Sequence, residues 1–331
     1  MNGLLYFNDL QNVKEGFAIE RATCANYIDK KQSMRITLSL LLMAVILTAC
    51  SPIPEIVLNT DQLISDIEYL SSDELEGRYV GTEGSAKAQA FLLSRFEEIG
   101  VEPFQGSFNH SFSFVRRGEE YEGINIIGKI PGQVDDVILI TAHYDHLGIR
   151  DSLIYNGADD NASGTAALLA LMDYFSRVDQ KHTMVFAALD AEEGGLNGAV
   201  ALANDSTFLE SVKLNINMDM VSQNSENELY TVGTYHFPEF LPELESIETG
   251  EISLLFGHDR PEDGNQDWTY ASDQGAFFRK GIPFIYFGVE DHEHYHAPSD
   301  EFETIPQEFY KNSVQVILNA VLVLDTFLSN N

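Results

Sequence analysis

Cysteine is nearly absent from this 331-residue chain. The two present, Cys24 and Cys50, can build neither a disulfide scaffold nor a thiolate metal site. Basic residues are scarce as well: 19 Lys and Arg stand against 52 Asp and Glu, for a formal charge of −33 and a pI near 4.3. A surface of that sign repels phosphate backbones, which disfavours a general nucleic-acid binder. Internal repeats and low-complexity linkers are missing. The apolar run Ile36 to Ala49, about fourteen residues, is too short to span a bilayer comfortably. What remains is core material. With 44% hydrophobic residues, the chain can fill one large domain or two ordinary ones, which argues against disorder. With thiolates excluded, any metal must be held by Asp, Glu and the nine His.

The N-terminus has the layout of a secretory signal: Lys30, Lys31 and Arg35 precede the apolar run. The run ends Leu47-Thr48-Ala49-Cys50, which resembles the lipobox of bacterial lipoproteins, where the cysteine becomes the lipidated first residue. Ser51 rather than Asp follows, and by the same resemblance this favours the outer membrane of a Gram-negative cell. Met34-Arg35 looks like the natural start, so residues 1–33 read as an over-long leader. The expected organisation is therefore a leader and signal peptide over 1–49, a lipidated tether over 50–59 and a catalytic domain over 60–331. The leader holds five of the basic and four of the acidic residues, which leaves 14 against 48 after it, a net charge of −34.

Beyond the tether, Leu63–Leu70 and Ala86–Ile99 show helical spacing of apolar residues, and Gly100 stops the second helix. Short apolar runs then follow at Ile124–Ile130, Val137–Thr141, Met184–Leu189, Leu214–Met218 and Ile282–Phe287, each of strand length and bounded by Gly, Pro or charge. Helical stretches Ser163–Phe175 and Gly195–Ala203 lie between them, and Pro306–Leu328 closes the chain. Strands alternating with helices predict a three-layer α/β/α architecture around a mixed, largely parallel sheet. In such sheets ligands collect at the carboxyl ends of strands.

The polar residues sit at those ends. Val137–Thr141 runs into Ala142-His143-Tyr144-Asp145-His146, and Met184–Leu189 into Asp190-Ala191-Glu192-Glu193-Gly194-Gly195. Leu214–Met218 ends in Asp219, and Ile282–Phe287 leads to Glu290-Asp291-His292-Glu293-His294-Tyr295-His296. A loop with Asp159, Asp160 and Asn161 precedes the helix at Ser163. One strand ending in Asp is ordinarily a turn or helix cap; five such stretches together are not explained that way. Imidazoles mixed with carboxylates are ligands for Zn²⁺, or for Mn²⁺ and Co²⁺ as substitutes. Of the adjacent acids Glu192-Glu193, one neutralised by a cation leaves the other free for proton transfer.

The set His143-Tyr144-Asp145, GADDNASG (157–164), Glu192-Glu193, Asn217-Met218-Asp219-Met220 and Tyr295-His296-Ala297-Pro298-Ser299-Asp300 resembles the two-zinc exopeptidases of the aminopeptidase Y and bacterial leucyl aminopeptidase type. Ser71 to Arg78 and Ser272-Asp273 extend the match, which covers most of residues 60–328 in the family's order. The resemblance implies a zinc exopeptidase fold and two Zn²⁺. His143 and Asp219 would hold one ion and Glu193 and His296 the other. Asp160 would bridge them, through a cis peptide to Asn161. Asp159 competes for the bridge and His292 and His294 compete with His296; the family's motif spacing selects Asp160 and His296. Glu192 is implied as the general base, and Asp145 as the partner that fixes the His143 tautomer. Asp300 is expected to do the same for His296, and Tyr295 to donate to an oxyanion or to pack at the pocket edge.

The function these expectations point to is an aminopeptidase acting on peptides with a free N-terminus, with membrane contact only through lipid on Cys50. A carboxypeptidase would need a basic anchor for the substrate carboxylate, and no Lys or Arg falls inside the ligand-bearing motifs, though Arg150 lies nearby. Glutaminyl cyclase, with one zinc on the same fold, and a non-catalytic binding protein are the other readings.

Overall fold

A computed structural model describes residues 56–330; the leader, Cys50 and most of the expected tether lie outside the described residues. The first helix, α1 (Thr60–Leu70), is capped by Asn59, whose side chain accepts from the Gln62 amide. Leu58, just before it, already packs in the core. Helix α2 (Glu83–Ile99) stops at Gly100, whose φ of 81° is the left-handed conformation that glycine adopts without penalty.

The strands are β1 (Glu102–Pro103), β2 (Asn109–Arg116), β3 (Glu119–Ile130), β4 (Val134–His143), β5 (Gly148–Arg150), β6 (Leu153–Tyr155), β7 (His182–Leu189), β8 (Val212–Met218), β9 (Glu228–Val232), β10 (Ser253–Phe256) and β11 (Phe284–Gly288). Nine of them form one sheet in the order β1-β3-β7-β4-β8-β11-β9-β10, with β2 also paired to β3; β5 and β6 form a separate ribbon. The four central strands β7, β4, β8 and β11 run parallel. The flanks β3 and β9 join them antiparallel. The expected mixed, largely parallel sheet is thus present, with its parallel part in the centre.

Side-chain alternation along these strands builds the two outer layers. On β4, Ile138, Ile140 and Ala142 face α1, α2, α3 (Gly164–Phe175) and the C-terminal helix α4 (Gln307–Leu328), while Val137 and Leu139 face Leu202, Phe208 and Phe277 on the other side. β7 divides in the same way, Met184, Phe186 and Ala188 from Val185, Ala187 and Leu189. Helix α3 lies against the sheet with nearly every residue buried, as its apolar composition requires. Helix α4 is long and apolar enough to cross a membrane by length and composition. Its buried residues, among them Val314, Ile317, Val321 and Leu324, belong to the same core.

The chain leaves β4 towards β7, then crosses back to β8 and continues to β11. The connections from β4 and to β8 therefore run to opposite sides, and a crevice opens at the carboxyl ends of these two parallel strands. His143 ends β4 and Asp219 follows β8.

Candidate metal centre

His143 and Asp219 face each other across that crevice, with Nε2 3.2 Å from Oδ1 of Asp219 and 3.5 Å from Oδ1 of Asp160. The other oxygen of Asp160 looks the opposite way. Its Oδ2 is 3.0 Å from Nε2 of His296 and 3.7 Å from Nδ1 of His146. Glu193 Oε1 closes this second group, 2.8 Å from His146 Nδ1 and 3.6 Å from His296 Nε2. One carboxylate thus serves two donor groups, His143/Asp160/Asp219 and Asp160/Glu193 with two histidines. Tetrahedral coordination at bond lengths near 2.05 Å separates neighbouring donors by about 3.3 Å, so these spacings suit a zinc-sized ion in each group.

The buried donors point the same way. Both ring nitrogens of His146 and Oε1 of Glu193 are buried without an aligned hydrogen-bond partner among the described residues. Buried polar atoms left unpaired are costly unless a cation takes them. Burial works against protonation of His143 and His296, yet the surrounding acids outweigh it. Asp219 leads for His143, and Asp160 with Glu193 raises His296 to about 10. A cleft whose field holds its imidazoles charged is one that favours cations.

The five residues expected as ligands therefore lie together, and their rivals make other contacts. Asp159 is committed elsewhere: it accepts from the Ser222 amide and hydroxyl at 2.8 and 2.7 Å and meets His292 Nε2 at 2.9 Å. That pairing removes His292 as well, and His294 bonds Ser299. The Asp160–Asn161 peptide is cis. Asn161 ties the loop down, donating to the Met218 carbonyl at 2.9 Å and accepting from the Gly164 amide at 2.8 Å.

Two supporting roles differ from expectation. Asp300 does not reach His296; its carboxylate accepts the backbone amides of Asp159 and Asp160 at 2.9–3.1 Å and so sets the turn that aims the bridging residue. For Asp145, it is the backbone carbonyl that pairs with His143 Nδ1, at 3.0 Å, while the carboxylate stands 3.6 Å away. That carboxylate accepts the Glu192 amide at 2.9 Å and lies 3.4 Å from the Glu193 amide. Asp145 thus couples the loops after β4 and β7. Asp190, by contrast, is an ordinary cap on the amides of Ile124 and Ala191.

His146 is the residue the sequence reading left unassigned. It stands three positions after His143, its side chain is fully buried where His296 is 40% exposed, and nothing in its spacing distinguished it from a core histidine. Only the fold brings it against Glu193. Gly157 makes room: with φ at 56°, a Cβ there would strike the His146 ring and the Asp160 carbonyl.

Beneath the cluster lies Arg78, fully buried. It donates to the carbonyls of Tyr144 (2.7 Å), Asn156 (2.6 Å), Gly157 (3.0 Å) and Leu70. Burial lowers its pKa to about 10, against the pull of Asp160, Asp300, Asp145 and Glu193. A buried cation holding four carbonyls under an acidic cleft leaves them all unpaired if removed. Arg78→Leu is expected to destabilise the fold by about 3–5 kcal/mol, read as a lowered urea midpoint; an unchanged midpoint would show that the guanidinium is dispensable.

Glu192 is half-buried beside the first donor group. Desolvation pushes its carboxyl well above the ordinary range, opposed by His143 and reinforced by Asp219, Asp273 and Asp145. Asp273, raised to about 7 by burial, has both carboxylate oxygens without a hydrogen-bond partner among the described residues. Tyr295 stacks on His296 with ring centroids 4.0 Å apart, which matches the packing alternative for this residue.

The description "Peptidase family M28" matches residues 125–321, more than half of the chain and every donor just described. The chain belongs to peptidase family M28. Within that setting it is 29% identical over 215 residues to aminopeptidase YwaD of Bacillus subtilis, covering 60% of this chain and 44% of that protein. It is 28% identical over 153 residues to leucine aminopeptidase 1 of Aspergillus clavatus, covering 44% of this chain and 38% of that protein. The chain thus spans less than half the length of these curated relatives. Among solved structures, the Bacillus subtilis zinc aminopeptidase BSAP superposes with a TM-score of 0.64 at 17% identity, covering 81% of this chain and 95% of that one. Glutaminyl cyclase from Porphyromonas gingivalis superposes at 0.65 and 15% identity, covering 80% and 98%. At such identities the likeness establishes the fold, which both kinds of protein share.

Proposed function

We propose that this M28 chain is an aminopeptidase that holds two zinc ions and releases N-terminal residues from peptides. The observation that carries the reading is the bridging posture of Asp160, whose two oxygens serve different donor groups. His143 and Asp219 would complete one ion's protein ligands. Glu193 and His296 would complete the other's, with His146 against Glu193 from the buried side. Held there, divalent ions would supply Lewis acidity to activate a water and polarise a carbonyl.

The remaining steps belong to the chain. Glu192, whose carboxyl desolvation pushes well above its ordinary range, takes the proton of the attacking water and passes it to the departing amine. Asp145 and Asp300 act through the backbone, holding the Glu192-Glu193 and Asp159-Asp160 turns in position. Carboxylates of the cleft receive the free α-ammonium of the substrate, an attraction that salt weakens outside the cleft. The lipobox-like Leu47 to Cys50 supports export and a lipid anchor on Cys50, facing the periplasm or exterior from the outer membrane. Peptides from residues 1–33 in the secreted form would overturn the over-long-leader part of this reading.

Leucine p-nitroanilide should be cleaved, 1,10-phenanthroline should abolish the cleavage, and zinc should restore it at two ions per chain. Cleavage of an N-acetylated peptide in preference to the arylamide would favour a carboxypeptidase. One zinc per chain with pyroglutamate formation from N-terminal glutamine would favour a glutaminyl cyclase instead.

A further inference from the structure

Beside the candidate metal centre lies a cavity of about 800 Å³ that the donor set does not use. Three arginines line it: Arg116 at the end of β2, Arg117 in the turn to β3, and Arg150 at the end of β5. In a chain where acids outnumber bases almost three to one, their gathering is notable for another reason: none has a carboxylate within ion-pair distance among the described residues. Arg116 is pinned, donating to Glu193 O at 3.0 Å and to the Tyr79 hydroxyl at 3.2 Å. Arg150 lies over the Tyr155 ring at 5.6 Å. Arg117 is exposed, and its side chain carries no hydrogen bond among the described residues. Two glutamates, Glu76 and Glu119, share the wall, so the cavity's formal charge is +1 within a chain of −33.

The cavity adjoins the site through Arg116 and Leu147. Arg116 holds the carbonyl of the residue whose carboxylate belongs to the second donor group, and Leu147, next to His146, forms part of the lining. An extended peptide advances about 3.3–3.6 Å per residue. Arg116, bonded to the Glu193 backbone, lies within the span of about two or three such residues from that donor.

We infer that this cavity is an anion subsite that binds a carboxylate carried by the peptide beyond its first residue, either a free C-terminal carboxylate or an Asp or Glu side chain. The inference rests on the aminopeptidase reading and adds to it a substrate class: short or acidic peptides. Guanidinium groups suit the task because their planar donor fork matches a carboxylate. The carboxylate is otherwise repelled by the surface, so the arginines also define where it can enter.

The test uses the zinc-loaded Glu192→Gln protein, whose turnover is slowed by about 10²–10⁴-fold, in calorimetric titrations. Leu-Gly-Gly is compared with its C-terminal amide, and Leu-Glu-Gly-amide with Leu-Gln-Gly-amide. At least one carboxylate member is expected to bind about tenfold more tightly than its neutral partner. The pair that responds identifies the source of the carboxylate. Adding Arg117→Gln or Arg150→Gln is expected to shrink that ratio about threefold or more each. Ratios within twofold in both pairs overturn the inference, as does a preference that both substitutions leave intact. Cleavage of leucine p-nitroanilide by the unsubstituted enzyme is scored separately. Its failure would sink the aminopeptidase reading, whereas the titrations report on the cavity regardless of turnover.

Discussion

Glu192→Gln is expected to lower kcat by about 10²–10⁴-fold while the protein keeps its metal content and its fold. Glutamine preserves the volume of the side chain and a hydrogen-bonding oxygen but cannot take up a proton. Glu192 lies next to the first donor group, and neither donor group includes it, so metal content should not change. The loss should therefore appear in kcat with KM within about threefold, the signature of an interaction made only in the transition state. Desolvation and the neighbouring Asp219, Asp273 and Asp145 all push this carboxyl up, the direction a group that alternately holds and releases a proton requires. If kcat falls less than tenfold, the proton is carried by another group, and Asp273, buried and unpaired nearby, is the one to replace next.

Asp160→Ala should have the other large effect, through the opposite route. Its Oδ1 belongs with His143 and its Oδ2 with His296 and His146, so a single truncation removes one ligand from each donor group. Metal content should fall from about two ions per chain to less than one, and cleavage of leucine p-nitroanilide by about 10⁴-fold or more. Asp159→Asn is the matched control. Asp159 lies one residue away but is engaged by Ser222 and His292, so this variant should retain both ions. Retention of two ions by Asp160→Ala, measured by elemental analysis, would remove the bridging role on which the proposed function stands.

Much of the fold could be read from residue pattern. The five apolar runs from Ile124 to Phe287 became strands, because a strand buried on both faces is written as a continuous apolar run whether it runs parallel or, like β3, antiparallel. β2 was missed although Ser111, Phe112, Ser113 and Phe114 alternate visibly, since its outer face is polar and its hairpin partner supplies the pairing. β9 and β10 are short and lie towards the edge, where local sequence carries little signal. Missing the β2–β3 hairpin had a functional consequence. Its turn delivers Arg116 and Arg117 to the side of Glu193, outside every motif that carried the donor residues.

The chain's order of residues determined which chemistry was available. With almost no cysteine, and with histidines and acids placed directly after buried strands, only an oxygen- and nitrogen-ligated centre at the carboxyl edge of a sheet was open to it. Choosing among neighbours took the resemblance to a family's motif spacing, because residue pattern alone does not separate them. Asp159 and Asp160 are adjacent, and so nearly are His292, His294 and His296. Local spacing gives each of them the same chance of facing the crevice. The tertiary structure decided, because Ser222, His292 and Asp300 arrive from distant parts of the chain to occupy one member of the acid pair and orient the other. It also brought His146 and Arg116 to Glu193. Contacts of that kind depend on where separate strands end in space, which no single stretch of chain specifies.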